Sequence, residues 1–282
     1  MTVTHDAPER GPLILGSGGR IGRAFRMLEA GGYWPAAARP LWHGRRDADY
    51  SWDMLTEVPP RDDRLSEVSG MIVLAGGRSG GDIAPDEAAD LARAALDLAA
   101  REGIGPVLLC SSQAVYGPAP GPHSEDGPLA PLGPYGQAKH AMEVAAAGAA
   151  CALRIGNVAG CDMLLRNAAH GPVTLDRFAD GQGPKRCYIG PLSLARIMTG
   201  LLARGRDLPA ALNLAAPGTV SMSDLLGAAG LSFTWREAPD DALPDLRLDL
   251  TRLAGLVPLD PEWGRPHTLL AEARLAGWEP AS

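Results

Sequence analysis

The sequence is short of several things, and each shortage excludes a class of protein. None of its 282 residues belongs to an apolar run of the ~18 or more residues that a membrane-spanning helix needs, so no membrane partner is expected. The first ten residues, MTVTHDAPER, lack the apolar stretch of a secretory leader; they read as a polar tail, and a cytoplasmic location is expected. Positive charge is in deficit: 26 Lys and Arg against 33 Asp and Glu leave a formal charge of -7. That balance argues against nucleic acid as a partner, which needs a cationic surface. The four cysteines, Cys110, Cys151, Cys161 and Cys187, are too dispersed for a CxxC pair or a zinc site. They read as small buried hydrophobes in a reducing compartment, and no metal is expected. Lysine is almost missing, since Lys139 and Lys185 stand alone beside 24 Arg. A lysine retained against such a background points to chemistry that a planar guanidinium cannot perform.

What is present alternates between two periodicities. Apolar runs at 12–15, 40–44, 71–77, 106–112 and 151–158 read as strands, several of them stopping on glycine. Between them, 21–32, 85–103 and 134–148 read as helices; the second has Pro and acids at its start and Gly at its end. This alternation predicts an α/β fold, a Rossmann-type doubly wound parallel sheet with helices on both faces. After about residue 160 the pattern loosens, which predicts a small C-terminal substrate-binding subdomain. The expected division is a nucleotide-binding domain over 11–160, with 190–216 returning to it, and the subdomain over 161–189 and 217–282.

Ligands of such sheets bind beyond the carboxyl ends of the strands, and the motifs fall there. Gly16, Gly19 and Gly22 form GxxGxxG between the first strand and the first helix. The first glycine permits the turn, the second lets backbone approach a pyrophosphate, and the third lets helix pack on sheet. Gly16, Gly18, Gly19, Arg20, Ile21 and Gly22 are therefore candidate cofactor contacts. At the end of the second strand His43-Gly44-Arg45-Arg46-Asp47 offers guanidinium groups where an NAD site would offer an acid. Arg45 and Arg46, with Arg20, suit a 2′-phosphate, so NADP is favoured over NAD; in the alternative, Asp47 binds the ribose. Asp53 either hydrogen-bonds adenine or caps a following helix.

Tyr135 and Lys139 form YxxxK on a predicted helix, one turn apart on one face. A phenol, with an unperturbed pKa of about 10, is a poor base at neutral pH, and a neighbouring ammonium favours its phenolate. The same ammonium can donate to a nicotinamide ribose. Ser112 ends the strand PVLLCSS, where its hydroxyl can donate to a substrate carbonyl. Ser112, Tyr135 and Lys139 are the candidate catalytic residues.

GxxGxxG, LAGG, SSQAVYG, YGQAK and LRIGNVAG occur here in the order and spacing of a known family. The sequence resembles the extended short-chain dehydrogenases/reductases, the NAD-dependent epimerase/dehydratase-like proteins that act mainly on nucleotide sugars. The resemblance runs from about residue 13 to 160, with weaker echoes to about 260. It implies a cofactor-lining role for Ala75 and Gly76, catalytic roles for Ser112, Tyr135 and Lys139, and substrate contacts from Asn157 and Arg186. It also implies hydride transfer at a secondary alcohol or ketone of a sugar or nucleotide sugar, as an epimerase or a dehydrogenase/reductase, and a homodimer built on two helices per subunit. The sequence departs from the family in three places. Gln113-Ala114 stand where the family's dehydratases carry Asp-Glu, which argues against dehydration. Gly190-Pro191-Leu192-Ser193-Leu194-Ala195 lacks the usual Asp, and the 160–185 stretch is short. Two other readings stay open: a noncatalytic NAD(P)-binding regulator, and a reductase of small carbonyl compounds.

Overall fold

The computed structural model describes residues 11–76 and 83–280; the polar tail and Gly77 of the LAGG element lie outside the described residues. In chain order, β1 (Leu13–Leu15), α1 (Arg20–Ala30), β2 (Leu41–Gly44), β3 (Tyr50–Ser51), β4 (Met71–Val73), α2 (Pro85–Glu102), β5 (Val107–Ser112), α3 (Gly133–Ala145) and β6 (Cys151–Ile155) build the first half. The chain continues through β7 (Asn157–Val158), α4 (Met163–Ala168), β8 (Val173–Arg177), β9 (Lys185–Arg186), β10 (Tyr188–Ile189), α5 (Pro191–Leu202) and β11 (Ala211–Leu214). It ends with β12 (Val220–Ser221), α6 (Met222–Ala229), β13 (Phe233–Glu237), β14 (Asp245–Leu246), α7 (Thr251–Ala254) and α8 (Pro266–Leu275).

Among the described residues the central sheet has seven strands in the order β11-β6-β5-β4-β1-β2-β3, all parallel. Every residue of β1, β4, β5 and β6 is buried, as expected for strands covered on both faces. Phe25 and Leu28 of α1, with Leu194, Ile197, Met198 and Leu201 of α5, cover one face. Ala88, Ala92, Ala95 and Leu98 of α2, with Ala138 and Met142 of α3, cover the other. The fold is the Rossmann-like α/β architecture. A second apolar cluster joins Leu165, Tyr188, Leu225, Leu226, Leu269 and Leu270, holding α4, α6 and α8 together beside the sheet. Among the described residues no helix is long and apolar enough to cross a membrane.

One expected strand is two. The run 151–158 breaks at Gly156, whose amide donates to Leu214 of β11 while the next amide, of Asn157, donates to Cys187. The chain changes hydrogen-bonding partner there, and a side chain at Gly156 would lie 2.8 Å from the Cys187 carbonyl oxygen. Burial pushes the thiols of Cys110, Cys151 and Cys161 up to about 12 and that of Cys187 to about 11, so all four are neutral packing groups.

The acid missing from the 190–195 segment is replaced from a distance. Ser193, in the first turn of α5, donates its amide at 2.8 Å and its hydroxyl at 2.5 Å to the carboxylate of Glu272 on α8. Both residues are buried, so an amide that a helix start leaves unpaired is satisfied by a side chain 79 residues on. Replacing Glu272 with Ala should cost about 1–3 kcal/mol, the scale for stranding buried donors, and lower the urea midpoint.

Beneath the glycine turn lies His43, buried on β2. Its Nδ1 accepts from the Gly16 amide at 3.3 Å, and its Nε2 donates to the Trp52 carbonyl at 2.9 Å. Burial lowers its pKa below the ordinary histidine value, although the Trp52 carbonyl and Asp53 pull the other way. The neutral ring is the one that fits, because a proton on Nδ1 would displace the Gly16 amide. A depressed value means that stability is complete above the unfolded pKa of about 6.5 and is lost as pH falls through the folded one. Urea unfolding between pH 7.5 and 5.5 should show this loss in the wild type and a smaller one in His43→Gln.

Candidate active site

The carboxyl ends of β1, β2 and β4 open onto a cleft of about 860 Å³, within the ~300–1,000 Å³ of ligand sites. Its floor is the glycine turn. Gly16 has φ 90°, and a side chain there would lie 2.6 Å from the Ala75 amide; one at Gly22 would lie 2.6 Å from Ser17. Gly18 faces open space, and α1 starts with no side-chain cap. The first-turn amides of α1 are left for a ligand, together with the positive end of the helix dipole. Ala75 and Gly76 line the same cleft, as do Asp53, Arg45, Arg46 and Asp47. A dinucleotide's diphosphate and adenosine fit these surroundings.

Three sequence-derived assignments change. The guanidinium of Arg20 turns away from the adenosine end and donates to the Cys161 carbonyl at 3.0 Å, so it is not grouped with Arg45 and Arg46. Ile21 packs its side chain on the core and is not among the residues that line the cleft. Asp53 caps a turn, not a helix, by accepting from the Leu55 amide at 3.1 Å. Sequence reasoning passed over Arg23 and Arg26, which line the cleft in Arg20's stead. Arg23 donates to the Gly18 carbonyl, and Arg26 stacks over Trp42, 5.3 Å from its centroid. Their i, i+3 spacing on α1 was the available signal.

The catalytic candidates converge from two adjoining elements. Ser112, the last residue of β5, is buried, and its Oγ accepts from the Ala114 amide at 3.2 Å. That bond uses a lone pair and leaves the O–H free to donate to a ligand. A short 3-10 turn, Gln113–Tyr116, follows, and α3 sits directly on it: a side chain at Gly136 would lie 2.8 Å from the Ala114 carbonyl oxygen. Tyr135, beside that contact, is 48% exposed and so accessible to a substrate. Lys139 is buried one turn on; its Nζ donates to the Cys110 carbonyl at 2.8 Å and lies 6.0 Å from the Tyr135 ring centroid. A side chain at Gly76 would lie 2.7 Å from that ammonium, so glycine is what admits it. Gln113 and Ala114 bring no ionisable group beside Ser112.

The two residues assigned to substrate lie farther along. Asn157, on β7, hydrogen-bonds the buried Tyr188 hydroxyl, whose pKa burial raises well above the ordinary phenol value. Arg186, on β9, is partly buried and donates to the Lys185 carbonyl at 2.8 Å; burial lowers its pKa. Among the described residues no carboxylate pairs with it. In the 160–189 segment Met163 and Arg166 are exposed, while Leu164 packs on the small subdomain's core.

Comparison with known proteins now bears on this geometry. The description "NAD dependent epimerase/dehydratase family" belongs to the family model that matches residues 72–183. A search of curated protein sequences found no match. Among solved structures, UDP-glucose 4-epimerase from Brucella ovis in complex with NAD is 20% identical, with a TM-score of 0.73, covering 96% of this chain and 99% of that one. MoeE5 in complex with UDP-glucose and NAD is 22% identical, with a TM-score of 0.69 over 94% of this chain and 98% of that one. TunA, an NAD-dependent NDP-hexosamine 5,6-dehydratase involved in tunicamycin biosynthesis, is 19% identical, with a TM-score of 0.66 over 94% and 97%. Residues 72–183 thus match the model of the NAD dependent epimerase/dehydratase family, and the whole chain shares its fold with these three structures.

Proposed function

We propose that this chain is an NADP-preferring epimerase or dehydrogenase/reductase that moves a hydride at a secondary alcohol or ketone of a nucleotide sugar. The observation that supports the proposal is the place of Lys139, which lies 6.0 Å from the Tyr135 ring centroid, is buried against the Cys110 carbonyl two residues before Ser112, and abuts Gly76 of the glycine-turn cleft. A nicotinamide dinucleotide bound in that cleft would supply the hydride acceptor and donor. In the oxidative direction the Tyr135 phenolate takes the hydroxyl proton as the carbinol C–H bond breaks and its electron pair leaves as hydride. The O–H of Ser112 donates to the same oxygen as it becomes a carbonyl, and the Lys139 ammonium stands one helical turn from the phenol. The reverse direction returns both.

Preference for NADP rests on Arg45 and Arg46 at the end of β2, where the 2′-phosphate of the adenosine ribose lies in such folds. A nucleotide sugar is favoured by Arg186, since a diphosphate would pair directly with this partly buried cation, which Asp245 and Asp176 reach only through their longer-range field. Dehydration is disfavoured because Gln113 and Ala114 offer neither acid nor base for a neighbouring carbon.

Purified protein mixed with NADP(H) and a panel of UDP- and dTDP-hexoses tests the proposal. Tyr135→Phe should turn over at least about a hundredfold more slowly, the usual scale of general acid–base help, and an unchanged rate ends the mechanism. Arg45→Ala combined with Arg46→Ala should raise KM for NADP about tenfold and leave KM for NAD nearly unmoved, since only the 2′-phosphate contacts are lost.

A further inference from the structure

α3 carries a third polar residue in line with Tyr135 and Lys139. Glu143 follows Lys139 by one helical turn, on the same face. Its carboxylate accepts from the Ser111 hydroxyl and from Arg154 on β6, whose Nε lies 3.2 and 3.1 Å from the two oxygens and whose Nη2 lies 2.9 Å from one. Arg154 is the register partner of Ser111 on the neighbouring strand. Successive turns of α3 therefore grip successive residues of β5, Lys139 holding Cys110 and Glu143 holding Ser111. The next residue is Ser112.

The same guanidinium also holds the far side of Ser112. Arg154 Nη1 donates to the Tyr116 hydroxyl and to the Glu125 carbonyl, each at 3.0 Å, and its guanidinium stacks over the Tyr116 ring. The Tyr116 hydroxyl in turn donates to the side-chain oxygen of Asn213 on β11 at 2.7 Å. The residue before Ser112 and the end of the turn after it are thus fixed by one ion pair, whose side chains are only 7% and 8% exposed. Neither Glu143 nor Arg154 lines the cofactor cleft. Burying a charge pair yields little net stability over an apolar pair of the same shape, but it fixes directions that an apolar pair does not.

We infer that Glu143, clasped between Ser111 and Arg154, is a positioning residue that sets the separation of Ser112 from Tyr135. The inference rests on the proposed hydride-transfer function and deepens it. A catalytic pair displaced by about 1 Å loses on the order of a hundredfold in rate, whereas ligand contacts elsewhere are unaffected.

Ser111→Ala and Glu143→Gln test this, with kcat, KM and calorimetric cofactor stoichiometry measured on each. Glu143→Gln strands a buried guanidinium and can fail to fold; Ser111→Ala removes one hydrogen bond to the carboxylate, leaves the Glu143–Arg154 ion pair in place and avoids that difficulty. The expected result for Ser111→Ala is kcat per cofactor-binding site reduced about tenfold or more, with KM, cofactor Kd and the midpoints of the pH–rate profile unchanged. Loss of active sites with unchanged kcat per remaining site would show a merely structural role and overturn the inference. So would a shifted pH profile, which would mean that Glu143 acts on the ionisation of Tyr135. If the wild type binds NADP but turns over none of the sugar panel, the proposed function itself fails, and the inference falls with it.

Discussion

The hydrogen bond from the Lys139 ammonium to the Cys110 carbonyl is the contact around which the rest is arranged. A buried cation needs acceptors, and a strand inside a parallel sheet has few carbonyls to spare. The carbonyl of Cys110 is reachable because α3 lies close over the end of β5, and α3 lies close because residue 136 is glycine. Gly76 completes the seat, since anything larger would occupy the place of the ammonium. Small residues at two points of the backbone thus decide where one charge sits, one helical turn from the exposed ring of Tyr135.

Charge in the cleft is mixed. The chain is acidic overall, and the cleft wall sets Arg23, Arg26, Arg45 and Arg46 among Asp47, Asp53, Glu57 and Glu87. An anionic ligand there would be held by individual guanidinium groups and by the amides at the start of α1, not by a general positive surface.

The sheet and the placing of Tyr135 and Lys139 on one helix were legible because both rest on short-range patterns. Apolar runs ending in glycine gave the strands, and the YxxxK spacing placed two side chains on one helical face. What stayed hidden was long-range. Nothing near Arg20 announces that its side chain crosses to Cys161, and an arginine beside a glycine turn is locally indistinguishable from a phosphate ligand. The break at Gly156 was equally concealed, since the apolar run continues through it while the hydrogen-bonding partner changes. Ser193 looked like a lost acid until Glu272 was found facing it. Patterns within ten residues report backbone conformation; pairings across seventy or more report packing, which only coordinates display.

That last pairing has a consequence for how the polypeptide matures. The first turn of α5, packed on the central sheet, is completed by a carboxylate on α8. A nascent chain can assemble its central sheet before α8 leaves the ribosome, but the amide and hydroxyl of Ser193 must wait for their acceptor. A fragment cut before Pro266 would keep every strand of that sheet and leave this turn uncapped.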